Sequence, residues 1–239
     1  MVKRISKKQR RASQQELRVP LKPTLKYISP ANDKQKQVFD SYRSNKHQLL
    51  VGCAGTGKTF LSLYLALNDV VNEISEYKKI VIIRSAVSGR DQGFLPGTEK
   101  QKMEVYESPY SAIVSELFGR QESYKNLKMT GVIQFESTSY LRGTTFSDAV
   151  VIVDEIQNCT FSELDTILTR FGHNCKVILC GDINQNDLYR KKNDVSGFSK
   201  FFEIIDKMNC FDTIEFGVNE IVRSGMVKQY LTMKYKLGY

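Results

Sequence analysis

Nowhere in these 239 residues is there an apolar stretch approaching the roughly 20 residues a membrane-spanning helix needs. The basic opening MVKRISKKQRRASQQ leads into no apolar segment, so a secretory signal is not expected and a cytoplasmic location is the simplest reading. Cysteine is sparse and scattered. The five lie at 53, 159, 175, 180 and 210, with no Cys-x-x-Cys pair and only two histidines, His47 and His173, to join them. Reduced thiols in a reducing compartment are therefore expected rather than a zinc site. Internal repeats are missing, and no linker interrupts the chain after residue 30. The body also lacks net charge. Of the +9 total, residues 1–26 supply +8, from nine lysines and arginines and the single acid Glu16. Such a segment cannot bury enough apolar surface to fold alone. It reads either as a phosphate-backbone attractor, sensitive to salt and indifferent to sequence, or as a solvated or partner-bound extension.

What is present is ordinary for a soluble domain: 41% hydrophobic and 26% charged residues, enough for one large core. Pro20, Pro23 and Pro30 mark an extended lead-in, which gives a basic tail over 1–28 and one domain over 29–239. Asn32 or Asp33 can cap a helix running to about Arg43. Strands are expected at 48–52, 79–85, 132–135, 149–154, 175–182 and 213–216. Helices are expected at 57–71, 99–119, 161–171, 197–208 and from 225 onward. Short apolar strands alternating with helices predict an α/β fold with a doubly wound, mostly parallel sheet. AVVIVD, apolar without a break up to Asp154, suits a strand covered on both faces.

Between the first strand and its helix lies GCAGTGKT, residues 52–59, which satisfies the phosphate-binding pattern G-x-x-x-x-G-K-[ST] at every fixed position. Gly52, Gly55 and Gly57 let the backbone curl so that the N–H groups of the loop, through Cys53, Ala54 and Thr56, point inward. The helix opening at Lys58, Thr59 and Phe60 adds its free N–H groups and dipole. Lys58 is expected on the β- and γ-phosphates of ATP and the Thr59 hydroxyl on Mg²⁺. Asp154 and Glu155 follow the apolar strand at its carboxyl end, where open α/β sheets bind ligands. Asp154 is the candidate for a direct or outer contact to Mg²⁺, and Glu155 for orienting and deprotonating the attacking water. CGDINQ places Asp182 and Gln185 after another strand, with Gln185 suited to sensing the γ-phosphate. A guanine-reading Asn-Lys-x-Asp is missing, since NKHQ at 45–48 lacks the aspartate and precedes the loop. No Arg-rich lid of a small-molecule kinase is found either.

Five stretches together resemble PhoH-like proteins, ATPases whose core is similar to the first motor domain of superfamily 1 helicases. They are GCAGTGKT (52–59), RSAVSGRDQGFLPG (84–97), STSYLRGTTF (137–146), VIVDEIQNCT (151–160) and LTRFGHNCKVILCGDINQNDL (168–188). The chain departs from the usual family pattern at Cys53, at Arg84–Ser85 and at Ile156. The resemblance implies a RecA-like P-loop NTPase fold and a few further roles. Gln35, 17 residues before Gly52, resembles a glutamine that reads the adenine edge. Arg223 resembles an arginine that neutralises charge developing on the γ-phosphate, with Arg84 and Arg142 as lesser candidates. With no second motor domain expected in this chain, a ring-like homo-oligomer is expected to complete the site. The basic tail and the loop aromatics Phe94, Tyr140 and Phe146 suggest RNA or another single-stranded nucleic acid as partner. The competing reading is a nucleotide-dependent assembly switch with slow turnover and no nucleic-acid substrate.

Overall fold

The computed structural model describes residues 24–85, 99–138, 141, 143, 145–182 and 197–237. The tail up to residue 23, Phe94, Tyr140, Arg142 and Gln185 lie outside the described residues. Six strands form one sheet: β1 (His47–Gly52), β2 (Lys79–Arg84), β3 (Ile133–Ser137), β4 (Ala149–Asp154), β5 (Cys175–Gly181) and β6 (Phe211–Phe216). Their spatial order is β3-β2-β4-β5-β1-β6, and every pairing is parallel. All carboxyl ends therefore share one edge. β5 separates β1 from β4, so Gly181 and Asp182 stand between the phosphate-binding loop and the Asp154–Glu155 pair.

The helices are α1 (Asp33–Arg43), α2 (Lys58–Val71), α3 (Glu99–Phe118), α4 (Ser123–Met129), α5 (Phe161–Leu168), α6 (Gly197–Asp206) and α7 (Gly225–Lys236). Successive strand residues point to opposite faces, and the two faces carry separate cores. Leu50, Ile80, Ile82, Val150, Ile152 and Ile178 face the core made with α1 to α4. Leu49, Val51, Val81, Ile83, Val151 and Leu179 face the one that holds Leu164 and Ile167 of α5 and Phe201 and Ile205 of α6. β4 is buried at all six positions, which is why its sequence shows no alternation. This is the doubly wound parallel sheet that the alternating elements predict, and with the loop at 52–59 it is the RecA-like P-loop fold that the resemblance implies.

Local chemistry sets the helix starts. The Asn32 side chain accepts from Gln35 N–H at the head of α1. Thr160 and Glu163 close a reciprocal capping box on α5. α2 differs. Its N-cap is Gly57 in the left-handed region, and no side chain caps its first turn. The free N–H groups at that end face the same edge of the sheet as the strand ends.

Two differences from the sequence reading are informative. α4 was not expected, and it buries its own Tyr124 and Leu127. Phe146 is no exposed stacking platform. It is 2% accessible and packs against Phe171 with ring centroids 6.1 Å apart. Leu25 and Ile28 of the lead-in also lie against the core, and Lys26 N–H donates to Leu117 C=O at 2.8 Å.

Candidate functional site

The loop between β1 and α2 curls through three glycines with positive φ: Gly52 at 116°, Gly55 at 77° and Gly57 at 89°. At Gly52 no other residue fits, because a Cβ would sit 2.0 Å from the Phe216 carbonyl oxygen of β6. That close approach lets Cys53 N–H donate to the same carbonyl at 3.0 Å, tying the loop to the neighbouring strand. Thr56, fully buried, donates its hydroxyl to Cys53 C=O at 3.0 Å. The Lys58 ammonium donates to the Gly52 and Cys53 carbonyls, at 2.8 Å each. Burial pulls the Lys58 pKa down, and the nearby Asp182 carboxylate opposes that.

Beside this loop opens a cavity of about 370 Å³ lined by Lys58, Thr59, Asp154, Glu155, Asp182 and Arg223, among others. Residues from both ends of the sequence meet there. Thr59 Oγ1 donates to Asp154 Oδ1 at 3.0 Å across 95 residues of chain. Asp154 Oδ2 accepts from the fully buried Tyr110 hydroxyl of α3 at 2.9 Å. Burial pushes the Asp154 carboxyl up and Glu155 adds to the push, while the hydrogen bonds from Tyr110 and Thr59 oppose it. Glu155 sits at φ 54°, a left-handed conformation uncommon outside glycine. This kink lifts the chain off the end of β4 into the short 3₁₀ turn Ile156–Asn158. Gln157, 2% accessible, donates from Nε2 to Glu155 Oε2 and accepts at Oε1 from Asp182 N–H at 3.0 Å.

The remaining sequence candidates fall as follows. Ala54, Gly55, Gly57 and Phe60 line the cavity. Arg223 reaches it in the same chain: Val222 N–H donates to Gly55 C=O at 3.0 Å, and a Cβ on Gly55 would lie 3.0 Å from Arg223 Cγ. Gln35 lies beside the loop with its carboxamide already engaged, donating to Thr56 C=O at 3.0 Å and accepting from Ala31 N–H at 2.8 Å. In this arrangement it braces the loop. Arg84, at the end of β2, stacks over Tyr106 with its guanidinium 5.8 Å from the ring centroid. The departures at Cys53 and Ile156 are both packing positions, 4% and 0% accessible.

The sequence reading missed two residues of the site, Tyr110 and Gln157. Gln157 stands within the quoted VIVDEIQNCT stretch, two residues beyond Glu155, and that proximity was its signal. Tyr110 left none, because only the packing of α3 brings it to β4.

The donor set fits a hard cation shared with phosphate. Thr59 and Asp154 present oxygens only. Among the described residues no cluster of three or more His, Cys, Asp or Glu forms a protein cage. Mg²⁺ is ordinarily held by one or two such protein oxygens, with substrate phosphates and water completing its shell.

A family model described as PhoH-like protein matches residues 27–235. A PhoH-like protein of Bacillus subtilis is 33% identical over 198 residues, covering 82% of this chain and 60% of that protein. Protein PhoH of Escherichia coli K12 is 32% identical over 206 residues, covering 85% and 57%. A PhoH-like protein of Synechocystis is 38% identical over 157 residues, covering 65% and 47%. The chain thus spans about half to three fifths of the length of the relatives it matches. Among solved structures, the Sulfolobus solfataricus SWI2/SNF2 ATPase core in complex with dsDNA aligns with a TM-score of 0.44 at 13% identity, covering 81% of this chain and 46% of that one. The Pif1 helicase of Candida albicans aligns with a TM-score of 0.36 at 16% identity, covering 79% and 40%.

Proposed function

Because the chain belongs to the PhoH-like protein family, we propose that it binds Mg·ATP in the cavity at the carboxyl edge of the sheet and hydrolyses it. The observation that carries this reading is the Thr59–Asp154 hydrogen bond, which joins the hydroxyl of the phosphate-binding loop to the strand-end carboxylate beside Lys58. Lys58 would exchange its two loop carbonyls for phosphate oxygens, and the free N–H groups of the loop and of α2 would receive the rest of the polyphosphate. Thr59 and Asp154 would hold Mg²⁺, which neutralises charge on the β- and γ-phosphates. Glu155 takes the proton of the attacking water. The water oxygen bonds to the γ-phosphorus, the bond from that phosphorus to the bridging oxygen breaks, and ADP and phosphate leave. Arg223, at the rim, offsets charge on the transferring group, and Gln185 senses its presence. Gln35 serves the same site by fixing the loop at Thr56.

The wider reading is a motor-like ATPase that couples turnover to RNA or another single-stranded nucleic acid and works as a homo-oligomer. The concentration of positive charge in residues 1–26 and the family membership support it. The test is steady-state phosphate release from Mg·ATP by the wild type and by Glu155→Gln, with and without single-stranded RNA and DNA. The variant is expected to lose turnover by about 100-fold or more while still binding ATP, and RNA is expected to raise wild-type turnover. ATP binding with no wild-type turnover under any condition would leave the assembly-switch reading in its place.

A further inference from the structure

Gln157 lies outside the cavity-lining set, yet its buried side chain is fastened at both ends to the site. Asp182 N–H can only donate, so the carboxamide oxygen must face it and the nitrogen must face Glu155. The orientation is therefore fixed by the backbone of the end of β5. Gly181 makes the approach possible: a Cβ there would come within 2.6 Å of Ile156 Cγ1 and 3.1 Å of Gln157 Oε1. The backbone at Glu155 contributes the third constraint, because its left-handed conformation turns Ile156 and Gln157 back across β5.

We infer that Gln157 is a positioning residue that couples the Glu155 carboxylate to the backbone at the end of β5, through Asp182 N–H. This rests on the ATPase reading and deepens it by naming how the base is held. One amide plane thus links the carboxylate that follows β4 to the backbone at the end of β5. Without it Glu155 keeps its place in the chain but loses the donor that fixes its rotamer. A displacement of about 1 Å at a reacting group can cost on the order of 100-fold in rate.

The experiment compares Gln157→Met, which matches the length and lacks both hydrogen bonds, and Gln157→Glu, which keeps the acceptor for Asp182 N–H but cannot donate to Glu155. Each is made alone and in the Glu155→Gln background. Phosphate release at saturating ATP, the KM, and the binding of a non-hydrolysable ATP analogue are measured on protein shown folded by its melting curve. In the Glu155 background, kcat is expected to fall about 10- to 100-fold for both variants, with analogue affinity within about twofold of wild type. In the Glu155→Gln background neither variant should cost a further loss, because both act through the same carboxylate. Losses that multiply in the double variants, or losses in analogue affinity and kcat together, would assign Gln157 a structural role only and overturn the coupling. Full wild-type turnover retained by both variants overturns the inference while leaving the ATPase reading intact. Absence of turnover in the wild type overturns both.

Discussion

Asp154 is constrained at both of its carboxylate oxygens. It is 5% accessible, its two oxygens are divided between Thr59 and Tyr110, and Glu155 is its chain neighbour. The Thr59 hydroxyl is the donor that Mg²⁺ would draw away, whereas Tyr110 contributes nothing else to the cavity. Its role is to hold the carboxylate plane while the other oxygen changes partner. Tyr110→Phe keeps the ring in its buried place and removes only this donor. A buried carboxylate oxygen left short of a hydrogen bond costs about 1–3 kcal/mol. At about 2–4 °C per kcal/mol for a domain of this size, the melting midpoint should fall by roughly 2–12 °C. The Mg²⁺ concentration for half-maximal phosphate release should rise, with ATP-analogue binding in the absence of metal little changed. Unaltered melting and Mg²⁺ titration curves would show that Tyr110 does not hold Asp154.

The elements divide into those whose sequence carries its own period and those defined by what they touch. β4 was legible because a strand buried on both faces must be apolar without interruption, and β5 because of its apolar run from Val177 to Cys180. α2 was legible because Gly57 and the loop before it fix its start. The loop residues and the Asp154–Glu155 pair could be read for the same reason: phosphate chemistry restricts residue type at fixed spacings. α4 was hidden, since SYKNLKM is too short for a helical period to stand out, and its burial depends on Tyr124 meeting Glu107 of α3. Gln157 and Tyr110 act through partners brought near only by the folded sheet. The start of β1 gives a test of the same kind. His47 Nδ1 accepts from Val177 N–H at 3.3 Å, and its ring lies 5.1 Å from that of Phe211. Burial lowers the His47 pKa, and the Lys176 ammonium lowers it further. A base whose folded pKa is depressed adds stability above its unfolded pKa, about 6.5, and loses it as pH falls toward the folded value. Wild-type stability should therefore decline below about pH 6.5 more steeply than that of His47→Gln, which retains an acceptor but no titrating group. Denaturant melts of both proteins from pH 7.5 to pH 5 measure the difference. A gap that stays constant across that range would mean that His47 does not titrate differently in the fold.

Across the whole chain, positive charge is concentrated at one end of the sequence. Residues 1–23 hold eight lysines and arginines and one glutamate, +7 of the total +9. The described lead-in from Leu25 is packed on the core, so truncation before residue 24 spares the contacts of Leu25, Lys26 and Ile28. If the tail attracts a nucleic-acid backbone, its effect belongs to counterion release. The slope of log affinity against log salt should then flatten by about 0.7 for each tail cation that meets a phosphate of a single strand. The truncated protein is expected to bind a single-stranded RNA more weakly at 50 mM salt and to converge on the full chain as salt rises. Its phosphate release without RNA should equal that of the full chain, because the site at β1, β4 and β5 is untouched. Fluorescence anisotropy over 50–300 mM salt, beside the ATPase assay, separates the two effects. Equal slopes for both proteins would remove the tail from nucleic-acid binding. Any RNA stimulation that survived the truncation would then have to act through residues 24–239 rather than through the tail.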